Sequence, residues 1–211
     1  MSTVDLRRDY TLHGLNEADV KADPVEQFGI WFEQALAANV PDANAMALAT
    51  TKPDGRPAAR IVLLKHFDVN GFLFFTNYHS RKGRDLAKNP AAALLFFWPQ
   101  LERQVRIEGA VTFTTAAESD SYFRGRPLES RLGACVSPQS EVIAGRDELE
   151  RRLAEFRARY PGDEVPRPSH WGGYRLTPEA FEFWQGRPGR LHDRLEYYRA
   201  DGAWRLRRLA P

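Results

Sequence analysis

The chain is short of the residues that build covalently stapled or metal-held folds. Cys135 is the only cysteine among 211 residues. No internal disulfide can form and no multi-thiolate metal centre can be assembled, so no metal site is expected. A single thiol fits a reducing, cytoplasmic setting, and Cys135 reads as a small buried side chain rather than a nucleophile. Long apolar runs are also missing: Ala91–Trp98 falls far short of a membrane span, and the polar start of the chain has no apolar signal core. Charge of one sign is not in excess. The 30 Lys and Arg residues stand against 28 Asp and Glu, for a formal net charge of +2. That balance argues against a nucleic-acid-binding module. No glycine-rich loop joins a strand to a helix, which excludes a dinucleotide fingerprint. Neither an internal repeat nor a low-complexity tract is present.

What is there is a pattern of short strands. A charged, weakly patterned arm over 1–22 precedes a single domain over 23–211, long enough to bury a full core. Asp23 caps and Pro24 opens a helix in which Val25, Phe28, Phe32 and Leu36 recur at helical spacing. Strands are expected at 45–51, 58–67, 72–76, 91–98 and 104–113, with turns at Pro53-Asp54-Gly55 and 68–71. Ser80 caps a short helix over 81–88, which Asn89-Pro90 ends. Helical spacing returns at 116–124 and along Leu149, Leu153, Phe156 and Tyr160. Strands near 172–176, 181–184, 191–198 and 204–209 follow, with Asp201-Gly202 as the last hairpin turn. Roughly seven or eight strands joined mainly by hairpins predict an antiparallel β-barrel with peripheral helices, not a doubly wound parallel sheet.

Positive charge is clustered rather than excessive. In Arg190-Leu-His-Asp-Arg194, a strand would put Arg190, His192 and Arg194 on one face and Leu191 and Asp193 on the other. Two guanidiniums flanking an imidazole suit an anionic heteroaromatic ligand; a solvated charged face explains the same pattern. Arg60 and Lys65 fall on opposite faces of one strand and need separate partners, unless both reach water at the strand ends. Arg81 and Lys82 lie in the first turn of a helix, where cations oppose the helix dipole. An anion at that N-terminus would offset the cost; two exposed surface cations are the alternative. Tyr122 and Arg126 share a helix face, and Ser130 joins them if the helix restarts after Pro127. Hydroxyls around a forked guanidinium make a phosphate grip. Ser137-Pro-Gln139-Ser140 offers an amide and hydroxyls to a polar ligand or to a helix cap.

Taken in order, RIVLLK at 60–65, FFTNYHSRKG at 74–83, LERQV at 101–105 and YFRGRPLESRLGACVSPQS at 122–140 resemble the pyridoxine (pyridoxamine) 5′-phosphate oxidase family. WGGYRL at 171–176, FEFWQG at 181–186, RLHDR at 190–194 and RLAP at 208–211 extend the resemblance to the last residue. The resemblance implies a mainly β, FMN-binding split antiparallel β-barrel with peripheral helices. It implies a homodimer with FMN at the interface. The reaction implied is oxidation of pyridoxine 5′-phosphate or pyridoxamine 5′-phosphate to pyridoxal 5′-phosphate, in the making and salvage of the vitamin B6 cofactor. Dioxygen is reduced to hydrogen peroxide, and the amine releases ammonia. No nucleic acid and no membrane enter.

The family's FMN positions fall on Arg60, Ile61, Val62, Leu63, Leu64, Lys65, Phe75, Thr76, Arg81, Lys82, Gln104, Gln139, Ser140, Trp184 and Arg194. Its substrate-phosphate grip falls on Lys65, Tyr122, Arg126 and Ser130. Arg190 and His192 match the catalytic pair that closes on the substrate ring, with Leu191 between them, and Arg7 and Tyr10 match an arm that covers bound substrate. Phe75 stands where some members carry Tyr, and the Arg187-Pro188-Gly189 stretch varies in the family. Residues 16–20 lack a basic cluster found in some members, so a second, regulatory product site is not carried over. Two other readings stay open on the residues alone: a flavin split-barrel reductase acting on a different ring, and a non-enzymatic flavin carrier.

Overall fold

In the computed structural model, residues 9–211 are described; Arg7 lies outside them. Helix α1 (Pro24–Ala37) begins as its sequence dictates, with the Asp23 carboxylate accepting from the Val25 and Glu26 backbone N–H groups. That satisfies two donors which the helix itself leaves unpaired. Strands β1 (Ala45–Thr51), β2 (Pro57–Leu63), β3 (His66–Asp68) and β4 (Gly71–Asn77) lead into α2 (Arg81–Lys88). Strands β5 (Ala91–Trp98) and β6 (Arg103–Phe113) precede α3 (Ala116–Arg124), α4 (Leu128–Val136) and α5 (Arg146–Arg159). The chain ends with β7 (Trp171–Gln185), β8 (Asp193–Ala200) and β9 (Ala203–Leu209).

Every strand pairing is antiparallel, in the order β2-β1-β5-β6-β7-β4-β3, with β8 on β7 and β9 on β8. β2 and β3 are the two ends of that order, yet only residues 64 and 65 separate them in the chain. The sheet therefore curls until its ends meet, forming a split barrel with peripheral helices. The split lies along β7. One edge of β7 pairs with β6; the other is shared, residues 171–176 with β4 and 180–185 with β8. Between those stretches sits Pro178, which has no N–H to donate. Opposite it the β6 register shifts at Glu108/Gly109. A Cβ on Gly109 would lie 2.0 Å from the Thr177 carbonyl oxygen, so the bulge requires glycine there.

Three expectations are corrected. The strands expected at 172–176 and 181–184 are one continuous strand, because the bulge carries β7 past Pro178. The strand expected over 58–67 breaks at residues 64 and 65, where the sheet closes. The strand expected from 191 begins at Asp193, because residues 188–190 form a 3-10 turn with Gly189 and Arg190 both left-handed, at φ 63° and 62°. The parity that put Arg190, His192 and Arg194 on one strand face therefore does not apply to Arg190 and His192.

The barrel core is aromatic. Phe28 meets Phe72 edge-on at 4.9 Å and Phe96 at 5.0 Å, and all three are fully buried. Each contributes about 1.5–3 kcal/mol from burial alone. A second, smaller core of Phe123, Leu132, Val165 and Trp171 seats α3 and α4 against the start of β7. Among the described residues, no helix is long and apolar enough to cross a membrane.

Candidate functional site

The seam where the sheet closes opens into a cavity of about 440 Å³. Eleven of the residues singled out above line it: Ile61, Val62, Leu63, Lys65, Phe75, Thr76, Lys82, Tyr122, Arg126, Ser130 and Gln139. β2 supplies the apolar rim, β4 the Phe75–Thr76 wall, and α3 and α4 the Tyr122–Ser130 side. The helix face expected to carry both Tyr122 and Arg126 is not formed, because α3 ends at Arg124 and Arg126 lies in the turn before Pro127; α4 restarts at Leu128 and places Ser130 on the same cavity as Arg126. Trp171 completes the lining and was not singled out; its ring is parallel to Tyr122 and Phe75, which stack on each other at 3.9 Å.

Arg126 lies with its guanidinium carbon 4.5 Å from the Trp171 ring centroid, a cation–π contact. Its Nη1 is buried and finds no hydrogen-bond partner among the described residues. Burial lowers its pKa. A half-buried guanidinium beside a cavity, with one buried donor unspent, fits an anion.

A second group of cations stands where α2 meets β1 and β2. Ser80 caps α2 by accepting from the Gly83 N–H. Lys82 Nζ donates to Gln139 Oε1 at 2.8 Å and to Thr76 Oγ1 at 3.1 Å, tying the 137–140 segment to β4. Burial lowers the Lys82 pKa, and the Arg60 charge lowers it further. Arg60 turns away from the cavity lined by Lys65. It donates to Thr50 Oγ1 at 2.7 Å and lies 3.6 Å from the buried Asp85 carboxylate. Burial lowers its pKa, Asp85 opposes that, and the nearby Arg81 adds to it. Arg60 and Lys65 are thus separated, as the sequence predicted, though by the break after Leu63 rather than by strand parity. Leu64 is buried in the barrel core, and Ser140 is exposed with φ 74°.

A third group lies on the outer sheet face. Gln104, Trp184, His192 and Arg194 line a cleft of about 270 Å³ together with Arg106 and Glu182. Those last two were missed by residue-level reasoning. The β6–β7 register sets Arg106 against Glu182 and Gln104 against Trp184, and the next ladder sets Trp184 against Arg194. The buried Glu182 carboxylate takes both Nε and Nη2 of Arg194, at 2.8 and 3.1 Å, and Nη2 of Arg106 at 2.7 Å. Such pairing across three strands is set by register, which a linear sequence does not display.

His192 packs on Trp184 at 4.6 Å, and the Tyr10 ring stands edge-on to both. The Arg187 N–H donates to His192 Nδ1 at 3.1 Å, so the neutral ring carries its proton on Nε2. Burial and the Arg190 charge lower the His192 pKa. Arg190 and Leu191 are exposed on the turn before β8.

The barrel and its seam define a split-barrel protein with desolvated cations gathered around aromatic walls. A family model described as pyridoxamine 5′-phosphate oxidase matches residues 32–160, and one described as the pyridoxine 5′-phosphate oxidase C-terminal dimerisation region matches 171–211. The pyridoxine/pyridoxamine 5′-phosphate oxidase of Cupriavidus pinatubonensis is 60% identical over 208 residues, covering 98% of each chain. That of Trichormus variabilis is 59% identical over 208 residues, covering 98% of this chain and 97% of its own. Among solved structures, PhzG from Burkholderia lata 383, in complex with tetrahydrophenazine-1-carboxylic acid, superimposes with a TM-score of 0.89 at 31% identity, covering 97% of this chain and all of its own. The chain belongs to the pyridoxamine 5′-phosphate oxidase family, a family of oxidase-type enzymes.

Proposed function

We propose that this protein is an FMN-dependent oxidase that converts pyridoxine 5′-phosphate or pyridoxamine 5′-phosphate to pyridoxal 5′-phosphate, with dioxygen reduced to hydrogen peroxide and ammonia released from the amine. The observation that carries this reading is the buried, unpartnered Nη1 of Arg126 beside a cavity that also holds Lys65, Tyr122 and Ser130. These four supply the charge and hydroxyls that a substrate phosphate requires. Arg60, Arg81 and Lys82 are a second cluster, with Asp85 as the carboxylate closest to it. It suits the phosphate of the cofactor, with Thr76, Gln139 and Ser140 as neutral donors and acceptors. Two anionic tails are thus provided for, and with both held, the two ring systems are placed by proximity rather than by a strong local grip.

The flavin, when bound, supplies the two-electron chemistry and its reoxidation by dioxygen. The chain's own residues bind and orient. Arg190 offers a fixed positive charge beside the substrate ring, and His192 offers an Nε2–H donor. Tyr10 and Arg7 belong to the arm that covers the ring.

Two copies are needed in this reading. Ile61, Leu63 and Phe97 are exposed on the outer sheet face, at 65%, 42% and 53%, and the ladder rows run Ile61–Ala47–Leu95–Arg106 and Phe97–Gln104–Trp184–Arg194. The seam cavity and the Arg106–Arg194 cleft therefore sit about 14 Å apart across the sheet, three strand spacings. Apolar surface lies between them. A second copy packed two-fold on that face covers it, and sets the cleft of one copy against the cavity of the other.

The test is peroxide release by the purified, FMN-loaded protein. Turnover is expected with pyridoxine 5′-phosphate and not with unphosphorylated pyridoxine. A protein that binds flavin yet releases no peroxide from either phosphorylated substrate is a carrier, or a reductase for another ring, and the proposal fails.

A further inference from the structure

Three stretches distant in the sequence meet at Asp193, the first residue of β8. Its Oδ2 accepts the Leu15 N–H at 3.1 Å and lies 3.5 Å from Arg187 Nε; its Oδ1 accepts from Arg208 Nη1 at 2.6 Å. Arg208 in turn grips both carboxylate oxygens of Glu17, at 2.9 and 2.8 Å, and the Leu15 carbonyl at 2.9 Å. Arg187 is wedged between this carboxylate and the arm: a Cβ on Gly14 would lie 2.8 Å from its Nη1. The backbone N–H of the same Arg187 holds His192 Nδ1. Tyr10, at the near end of the arm, rests on His192 and Trp184.

We propose that Asp193 is a positioning residue that couples docking of the arm over residues 10–20 to the orientation of the His192 imidazole. One carboxylate stands between two guanidiniums. Take its charge away and Arg187 and Arg208 face each other as like charges, the Leu15 tether weakens, and the Arg187 peptide that pins the imidazole is released. Arm closure and ring orientation are then one event. What the imidazole is for rests on the oxidase reading above; the coupling does not.

The experiment is hydrogen–deuterium exchange on the full-length, FMN-loaded protein, following peptides over 9–20 and 186–192. Glu17→Gln is the informative variant, because the Glu17 carboxylate is held by Arg208, which in turn holds Asp193, two steps removed from residues 186–192. Losing that ion pair is expected to speed exchange about two- to fivefold in both segments. Asp193→Asn is expected to speed both further, and Asp193→Glu to restore most of the protection. Faster exchange confined to 9–20 in Glu17→Gln, or unchanged 186–192 exchange in Asp193→Asn, overturns the coupling. Should Asp193→Asn fail to fold, Glu17→Gln decides alone. In turnover, the Glu17→Gln/Asp193→Asn double variant is expected to lose no more kcat than Asp193→Asn; losses that multiply also overturn it. A wild-type protein that turns over no phosphorylated substrate defeats the oxidase reading but leaves the exchange result intact.

Discussion

Arg126 is set up for a ligand at some cost to the free protein. Its cation–π contact with Trp171 offers about 0.5–1 kcal/mol, and its buried unpaired donor costs about 1–3 kcal/mol. Arg126→Gln should therefore change the stability of the ligand-free protein little, by about 1 kcal/mol or less in a urea melt. The same change should raise KM for the phosphorylated substrate about 10- to 100-fold, the worth of a charged hydrogen bond. A fall in kcat with KM unmoved would remove Arg126 from the phosphate grip. His192 makes a separate prediction. Its folded pKa lies below the ordinary 6.5, so the unfolded chain takes up the proton more readily. The stability this contributes is complete above the unfolded value and is lost as pH falls through the folded one. His192→Gln should accordingly narrow the stability difference between about pH 8 and pH 5 in denaturant melts. A difference as wide as the wild type's would show that other groups set it. Tyr122, Arg126 and Ser130 were readable because they lie close together in the chain, although Arg126 sits in the turn between α3 and α4 and not on the helix face expected. Trp171, Arg106 and Glu182 were not, because only strand register brings them to their neighbours.

Elements with local punctuation follow the sequence closely. Asp23-Pro24 opens α1, Ser80 caps α2, and Asp201-Gly202 turns β8 into β9. What misled was Pro178, whose interruption is absorbed by a bulge in β7 itself, with Glu179 left without a partner on β6, and the RLHDR run, whose first residues belong to a turn. Arg190 holds a left-handed φ at a cost of about 1 kcal/mol or more, a strain no sequence pattern announces. α2 offers the sharpest test at this scale. In an ordinary helix Gly→Ala stabilises by about 1 kcal/mol. At Gly83 a Cβ would lie 2.0 Å from the Tyr78 carbonyl oxygen, so α2 must move off the strand end it rests on. Gly83→Ala should reverse the usual sign, lowering stability and weakening FMN binding together as Arg81 and Lys82 shift. Unchanged flavin affinity in a titration would show that α2 does not hold the cofactor.

For the whole molecule, the prediction concerns the exposed apolar face. Ile61→Asp puts a charge on the β2 rim without touching the buried core. In a dimer that buries this face, the substitution should leave a folded monomer that has lost FMN. Size-exclusion with absorbance at the flavin band reads both; a variant that keeps wild-type size and colour would place the interface elsewhere. The barrel class itself was legible from hairpin spacing, but its closure was not, since no local pattern says which strands will be the first and last of a sheet.

That closure depends on a linker of two residues, Leu64 buried in the core and Lys65 exposed at the cavity. The clasp of the barrel and a charge intended for an anion are consecutive in the chain. An anion drawn to Lys65 and Arg126 would therefore span the line where the first and last strands abut, as a rivet across a rolled sheet. Removing it frees the clasp before any ladder hydrogen bond is broken, so the ligand-free protein should begin to open along this line, at the β2–β3 connection, while α1 and the aromatic core remain in place.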